Sequence, residues 1–307
     1  MIIKWSIKFK EKKMNPLLSL VKSALQKPGA NIRLDGNGDI TQIIEQVPAV
    51  TSYLSLQTVV NPDNETGLTA LGRIIEHSLV AQAGARLLVI PSPSSPQQNS
   101  EQRLEKLRAV ASGFVTIEAA PFEVYPDDIE LETSDKPYLV ANYNDETAPI
   151  YGVGFKLSRR DIKDLSDGIA LDAVMKSIEM GLANIVDHVL LTHLAGTVSL
   201  LEQPNLKGIA KAAAARGLRF AELSAIAGGE MNSLELGGDG KLRSCGVVAE
   251  ITKFSGQTII GAFNRAAVGI DDELRLTAKR LQNGGVEVVA WMMTQAQSPD
   301  ASAFWKV

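Results

Sequence analysis

Histidine and cysteine are nearly missing from this chain. Its 307 residues hold three His and one Cys. A lone Cys245 excludes an intramolecular disulfide and any cysteine-rich zinc site, which fits folding in a reducing compartment. A basic surplus is lacking as well. The formal charge is -4, which argues against coating nucleic acid by bulk electrostatics, so any such contact would be local. No run of 18 apolar residues occurs, so no membrane-spanning helix is expected. Lys4, Ser6 and Lys8 interrupt the start of the chain where a signal peptide needs an unbroken apolar core.

Chemistry-bearing motifs are equally scarce. His188 and His193 stand five apart on a helical stretch, about 140° around it, and so cannot share a metal as an i, i+4 pair would. His77 stands alone, and Asp187 is a candidate to orient a neighbour. There is no nucleophile elbow and no phosphate-binding lysine loop, and Gly152-Val-Gly154 lacks the third glycine of a dinucleotide fingerprint. Asp35-Gly-Asn-Gly-Asp39 places carboxylates and an amide at alternate positions, like a calcium loop. Ile40 and Gln46 occupy its sixth and twelfth positions, where glycine and a bidentate Glu belong, so the segment reads as a glycine-rich turn. No catalytic, cofactor-binding or metal-ligating residue is therefore assigned. A soluble enzyme with a site built from dispersed groups such as Arg159, Arg160 and Asp161 stays open as an alternative.

What is present is structural patterning: 45% hydrophobic and 21% charged residues suffice for one large or two modest cores. In residues 2–10, Ile3, Trp5, Ile7 and Phe9 alternate with Lys4, Ser6, Lys8 and Lys10, the period of a strand that needs a partner. With Lys12 and Lys13 this makes a basic arm whose contact to DNA, if it makes one, would be salt-sensitive; Met14 is a candidate alternative start.

Apolar spacing through Leu68, Leu71, Ile74, Ile75 and Leu79 predicts a helix over 66–83. A strand at 87–90, a proline- and serine-rich loop, a helix near 101–111 and a strand pair over 114–124 follow. The acidic stretch with Asp127, Asp128, Glu130, Glu132 and Asp135 reads as an exposed loop or hairpin.

A strand over 147–157 precedes the clearest element. From 168 to 194, Leu171, Val174, Met175, Ile178, Leu182, Ile185 and Val189 form a helical apolar stripe roughly 40 Å long, with Gly196 as its stop. A short helical or loop segment is expected at 209–215, a helix at 220–227, strands at 246–251 and 257–263, and an antiparallel sheet toward the C-terminus. The fold class is α+β.

The order of elements from 135 to 307 resembles the HK97-like major capsid proteins of tailed bacteriophages. In Ala148-Pro-Ile-Tyr-Gly-Val-Gly-Phe-Lys-Leu-Ser-Arg-Arg-Asp-Ile162 a hydrophobic alternation ends in a Ser158-Arg159 step followed by Asp161 and Asp164, similar to the family's strand entering its spine helix. The stretch 171–196, with Asp187 before a Leu-Leu pair and a closing glycine, resembles the spine helix and its exit. Leu201-Glu-Gln-Pro-Asn-Leu-Lys-Gly208 resembles the loop after it. Gly261-Ala-Phe-Asn-Arg265 with 268–276 resembles the strands leaving the axial domain, and 286–307 the terminal peripheral strands.

The resemblance implies an arm at 1–45, an α/β, possibly axial-domain-like segment at 46–123, an extended loop at 124–146, and a peripheral-domain strand and spine helix at 147–208. It further implies an axial segment at 209–260 and peripheral strands at 261–307. It implies a structural, non-enzymatic subunit that forms hexamers and pentamers and closes an icosahedral shell around phage DNA. Its partners would be copies of itself, a separate scaffolding protein, a portal, a decoration protein and packaged DNA on the inner surface, with no membrane. Its place would be the virion, after assembly in the host cytoplasm. An encapsulin-like compartment shares the implied fold, and a phage tail or connector protein is a further alternative. Some members cross-link Lys to Asn with help from a carboxylate. Lys136, Asn283 and Glu287 stand nearest to that arrangement, but their spacing does not agree with it, and no cross-link is expected.

Overall fold

A computed structural model describes residues 16–26, 32–34, 40–43, 49–57, 69–91, 112–120, 122, 135–163, 169–229, 234–253 and 256–307. The expected strand at 2–10, the turn at 35–39, the helix near 101–111 and the acidic residues 127–132 lie outside them. In chain order the elements begin with α1 (Pro16–Gln26), β1 (Ile32–Leu34), β2 (Ile40–Ile43), β3 (Val50–Ser55), α2 (Ala70–His77), α3 (Leu79–Gln82) and β4 (Arg86–Ile90). Then come β5 (Gly113–Ile117), β6 (Tyr138–Asn142), β7 (Ile150–Leu157), α4 (Arg159–Lys163), α5 (Ile169–Thr197), β8 (Ser199–Leu200) and α6 (Leu206–Ala215). The remainder is strand: β9 (Ser224–Ala227), β10 (Leu234–Leu236), β11 (Leu242–Ser244), β12 (Val247–Ile251), β13 (Ile259–Gly261), β14 (Ala267–Asp271), β15 (Glu273–Arg280), β16 (Val286–Gln297) and β17 (Phe304–Lys306). The chain is a mixed α+β protein.

Two compact units result. The first comprises Met1–Leu71, Gly152–Ile178 and Leu274–Ala290; the second comprises Gly72–Tyr151, Glu179–Glu273 and Trp291–Val307.

In the first unit, α1 buries Leu17, Leu20, Val21 and Ala24, the i, i+3, i+4, i+7 stripe of an amphipathic helix, and it packs on β3. Strand β3 lies beside β15, and β15 beside β16. Leu274, Leu276 and Ala278 on one strand and Val286, Val288 and Ala290 on the next are buried, each set at the two-residue period of a half-buried sheet. The turn between them closes through Leu281 N–H to Gly285 O and uses the positive φ of Gly284. On the other side of β16 runs β7, so close that a Cβ on Gly285 would stand 2.5 Å from Leu157 O.

In the second unit a seven-stranded sheet has the order β10-β11-β12-β9-β13-β17-β8, parallel at β12/β9 and β17/β8 and antiparallel elsewhere. Phe263 and Phe304 meet edge to face at 5.5 Å in its core. The second half of β16 pairs antiparallel with β14, which pairs parallel with β4.

Four expectations need correction. The predicted helix over 66–83 breaks at Ser78, whose side chain caps α3 by accepting from Ala81 N–H at 3.2 Å. The predicted helix over 220–227 is a single 3-10 turn at Phe220–Glu222 followed by β9, because Ser224–Ala227 is held between β12 and β13. Tertiary pairing there overrides the helical preference of alanine. Among the described residues strand β5 has no local partner, and it pairs with β6, more than twenty residues on. The long helix runs past Gly196 to Thr197, where the Thr197 hydroxyl donates to His193 O and Lys306 Nζ to Ala195 O. Among the described residues no helix is long and apolar enough to cross a membrane.

Candidate assembly surface

The residues with chemical potential in the sequence take up structural work. Ser158 N–H donates to Asp161 Oδ2 at 2.8 Å and Asp161 N–H to Ser158 Oγ at 3.2 Å, a reciprocal cap at the start of α4. The Ser158 contacts hold the Asp161 carboxyl below its ordinary range. Arg159 and Arg160 flank it on the surface. His77 is exposed, and His193 bonds Ser298 Oγ through Nε2 at 2.9 Å, its pKa lowered by burial. Cys245 occupies the two-residue turn between β11 and β12 with φ of 50°, followed by Gly246 at 81°. Lys136 and Asn283 are exposed, and Asn283 Oδ1 accepts from Gly285 N–H. Among the described residues no three His, Cys, Asp or Glu gather as a metal site. An open groove of about 320 Å³ beside Trp305 carries one carboxylate and one ammonium, Glu202 and Lys211, both exposed.

Two carboxylates on α5 are buried, and the sequence pattern flags neither as core. Asp187 accepts from Ser78 Oγ at 2.6 Å, Val80 N at 3.0 Å and Leu79 N at 3.1 Å, which supplies the free donors at the start of α3 from a different helix. Burial pushes its pKa up, against those three donors. Glu179 takes Arg73 Nη1 at 2.8 Å, and both side chains are nearly inaccessible. Arg265 and Ser302 likewise satisfy the buried Asp300, at 2.8 and 2.5 Å. Each of these contacts fixes a segment of the second unit against another part of the same unit.

The reverse situation holds at the β5–β6 ribbon. Val115 faces Val140 and Ile117 faces Tyr138 across the ladder, so the four lie on one side. They are exposed by 48, 47, 75 and 45%. On the other side Phe114 and Thr116 are buried. The ribbon is anchored at its base. Tyr143 N–H donates to Ser112 O and the Tyr143 ring presses on Gly269, where a Cβ would come within 2.4 Å of it. Gln297 Nε2 donates to Ser112 O at 3.0 Å, and Gln295 Oε1 accepts from Asn144 N at 2.8 Å. The arrangement is a fixed two-stranded platform with a contiguous apolar face. Such a face on a small ribbon marks a binding surface rather than ordinary scatter of apolar side chains.

No protein-family model matches the sequence, and no curated protein matches it. Among solved structures the chain is similar to one of Mycobacterium phage Che8, at 13% identity and a TM-score of 0.44, over 63% of this chain and 82% of that one. It is similar to the virus-like particle from Pyrococcus furiosus at 11% identity and 0.46, over 78% and 95%. It is also similar to a chain of the satellite phage P4 procapsid that includes the size determination protein, at 10% identity and 0.47, over 77% and 96%.

Proposed function

We propose that this chain is a major capsid protein of the HK97-like kind, a non-enzymatic subunit that assembles through hexamers and pentamers into an icosahedral shell around phage DNA. The observation that carries this is the exposed apolar face of Val115, Ile117, Tyr138 and Val140, held on an anchored ribbon. Burying one such side chain stabilises a contact by about 1.5–3 kcal/mol, and symmetry repeats the contact around the shell.

The quoted sequence stretches support the same function. Residues 150–157 enter a Ser158–Asp161 cap and then a helix of 29 residues, the order expected of a strand leading into a spine helix. In this proposal α5 is the spine, 124–146 is the extended loop containing β6, 1–45 is an arm, and 209–260 is axial. Partners are further copies, a separate scaffolding protein, a portal and a decoration protein, with DNA inside. The subunits assemble in the host cytoplasm and reside in the virion.

The test is negative-stain electron microscopy with size-exclusion chromatography of the expressed chain, alone and with the other head proteins. Closed shells or capsomer-sized rings are expected. A monomer or dimer under all conditions would overturn the proposal, and shells filled with enzyme cargo in place of DNA would move it to the compartment class.

A further inference from the structure

Helix α6 and the turn after it present charge of one sign. In a chain whose 35 Asp and Glu outnumber its 31 Lys and Arg, the stretch 203–221 carries Lys207, Lys211, Arg216 and Arg219 without a carboxylate. All four are exposed. Arg219 Nε donates to Glu222 Oε1 at 2.6 Å, so its charge is offset locally. The helix buries Gly208, Ile209 and Ala213 on its inner side, and beside the two lysines its outer side shows only Ala210 and Ala214, which add neither bulk nor charge. An exposed helix face that needs only wetting is served by opposite charges in i, i+4 pairs; here lysine stands one turn from lysine, which by itself is mildly destabilising. A polyanion laid on the face would reverse that sign.

The spacing suits a regular array of phosphates. Lys211 lies about 6 Å and Arg216 about 13.5 Å along the helix from Lys207, and the phosphates of one duplex strand recur about every 3.4 Å along its axis, so the three cations stand roughly two and four phosphate steps apart. The groove beside Trp305 runs along the same helix, lined by Gly208, Lys211, Ala212 and Ala215, with Glu202 as its lining carboxylate. A backbone following the lysines therefore meets small side chains and a recess. We infer that Lys207, Lys211 and Arg216 on α6 bind the sugar-phosphate backbone of duplex DNA without reading its sequence. This is the local contact that a net charge of -4 still allows. The choice of duplex DNA among polyanions rests on the proposed function, which places that molecule within reach of every subunit.

The test titrates a short labelled duplex with the unassembled full chain, read by fluorescence anisotropy across a salt series. Between about 50 and 200 mM salt, the parent's loss of affinity is expected to exceed that of Lys207→Gln/Lys211→Gln by about 12-fold, the effect of two fewer released counterions. Lys207→Arg/Lys211→Arg keeps the charge and should follow the parent. So should Lys176→Gln/Lys279→Gln, which removes two exposed lysines of the first unit. Equal salt dependence in the parent and the α6 glutamine variant would overturn the inference, as would a parent that binds no duplex. Binding of poly-glutamate but not of duplex, lost in the same variant, would give the face to an acidic protein and overturn it too. Electron microscopy of the same chains after assembly separates the two claims. Shells whose subunits bind DNA independently of α6 overturn this inference alone; DNA binding that depends on α6 in a chain that forms no shells upholds it and overturns the capsid function.

Discussion

The α5 contacts and the β5–β6 ribbon invert the usual rule in opposite directions. Around α5, carboxylates that belong in water are buried; on the ribbon, valine, isoleucine and tyrosine that belong in a core are exposed. Asp187 is satisfied within the chain by Ser78 and the backbone of Leu79 and Val80, and Glu179 meets Arg73 through Oε2 while its Oε1 is buried without a hydrogen-bond partner. The ribbon's apolar groups are about half or more exposed on their outer side. A buried polar group with partners fixes which segments of one molecule meet, whereas an exposed apolar group without them points to a second molecule.

The largest effect should come from breaking the buried side of this comparison. Arg73→Leu strands Glu179 in the interior without its cation, and a loss of about 3–5 kcal/mol is expected in denaturant unfolding. A loss under 1 kcal/mol would mean that Glu179 finds water there.

Next, Gly269→Ala forces a methyl into the Tyr143 ring at the ribbon's root and should cost about 1–3 kcal/mol, read from the thermal midpoint. A wild-type midpoint would mean that the root is not rigid.

A smaller effect of opposite sign is expected at Thr294. Its hydroxyl is buried without a partner and lines a small cavity with Ile74, Leu182, Val186, Ile270 and Met292. Thr294→Val should stabilise by about 1 kcal/mol.

The pH dependence has a definite sign. Because the folded-state pKa of Asp187 is raised, the folded form binds a proton that the unfolded form releases. Asp187 thus contributes stability as pH falls through its folded pKa toward about 4, and that contribution is lost as pH rises. His193 acts in the other direction, since its folded pKa is lowered and stability is lost as pH falls below about 6.5. Asp187→Asn removes the first contribution alone, so its thermal midpoint should drop more steeply on acidification than that of the parent chain. Parallel pH profiles would contradict this.

Much of the framework was legible. The 3.6-residue spacing from Leu171 onward gives α5 to within a few residues, and the antiparallel sheet expected toward the C-terminus takes in β15 and β16. What the pattern hides is non-local. Glu179 and Asp187 are polar letters in an apolar helix, and only folding brings Arg73 and Ser78 to them from more than a hundred residues away. Nothing in the composition of β5 reveals that its partner is β6. Alternation in the strand expected over 114–124 says that Val115 and Ile117 share a face and not whether that face is covered.

The most direct test of the central claim compares the full chain with an Ile117→Lys/Val140→Lys variant by electron microscopy and sedimentation. Both side chains lie on the exposed face, so the variant should fold with a thermal midpoint close to that of the parent chain. Closed shells from the parent and only unassembled subunits from the folded variant are the predicted result. Identical particles from both would contradict the ribbon face as an assembly surface, and an unassembled parent chain would contradict the shell itself.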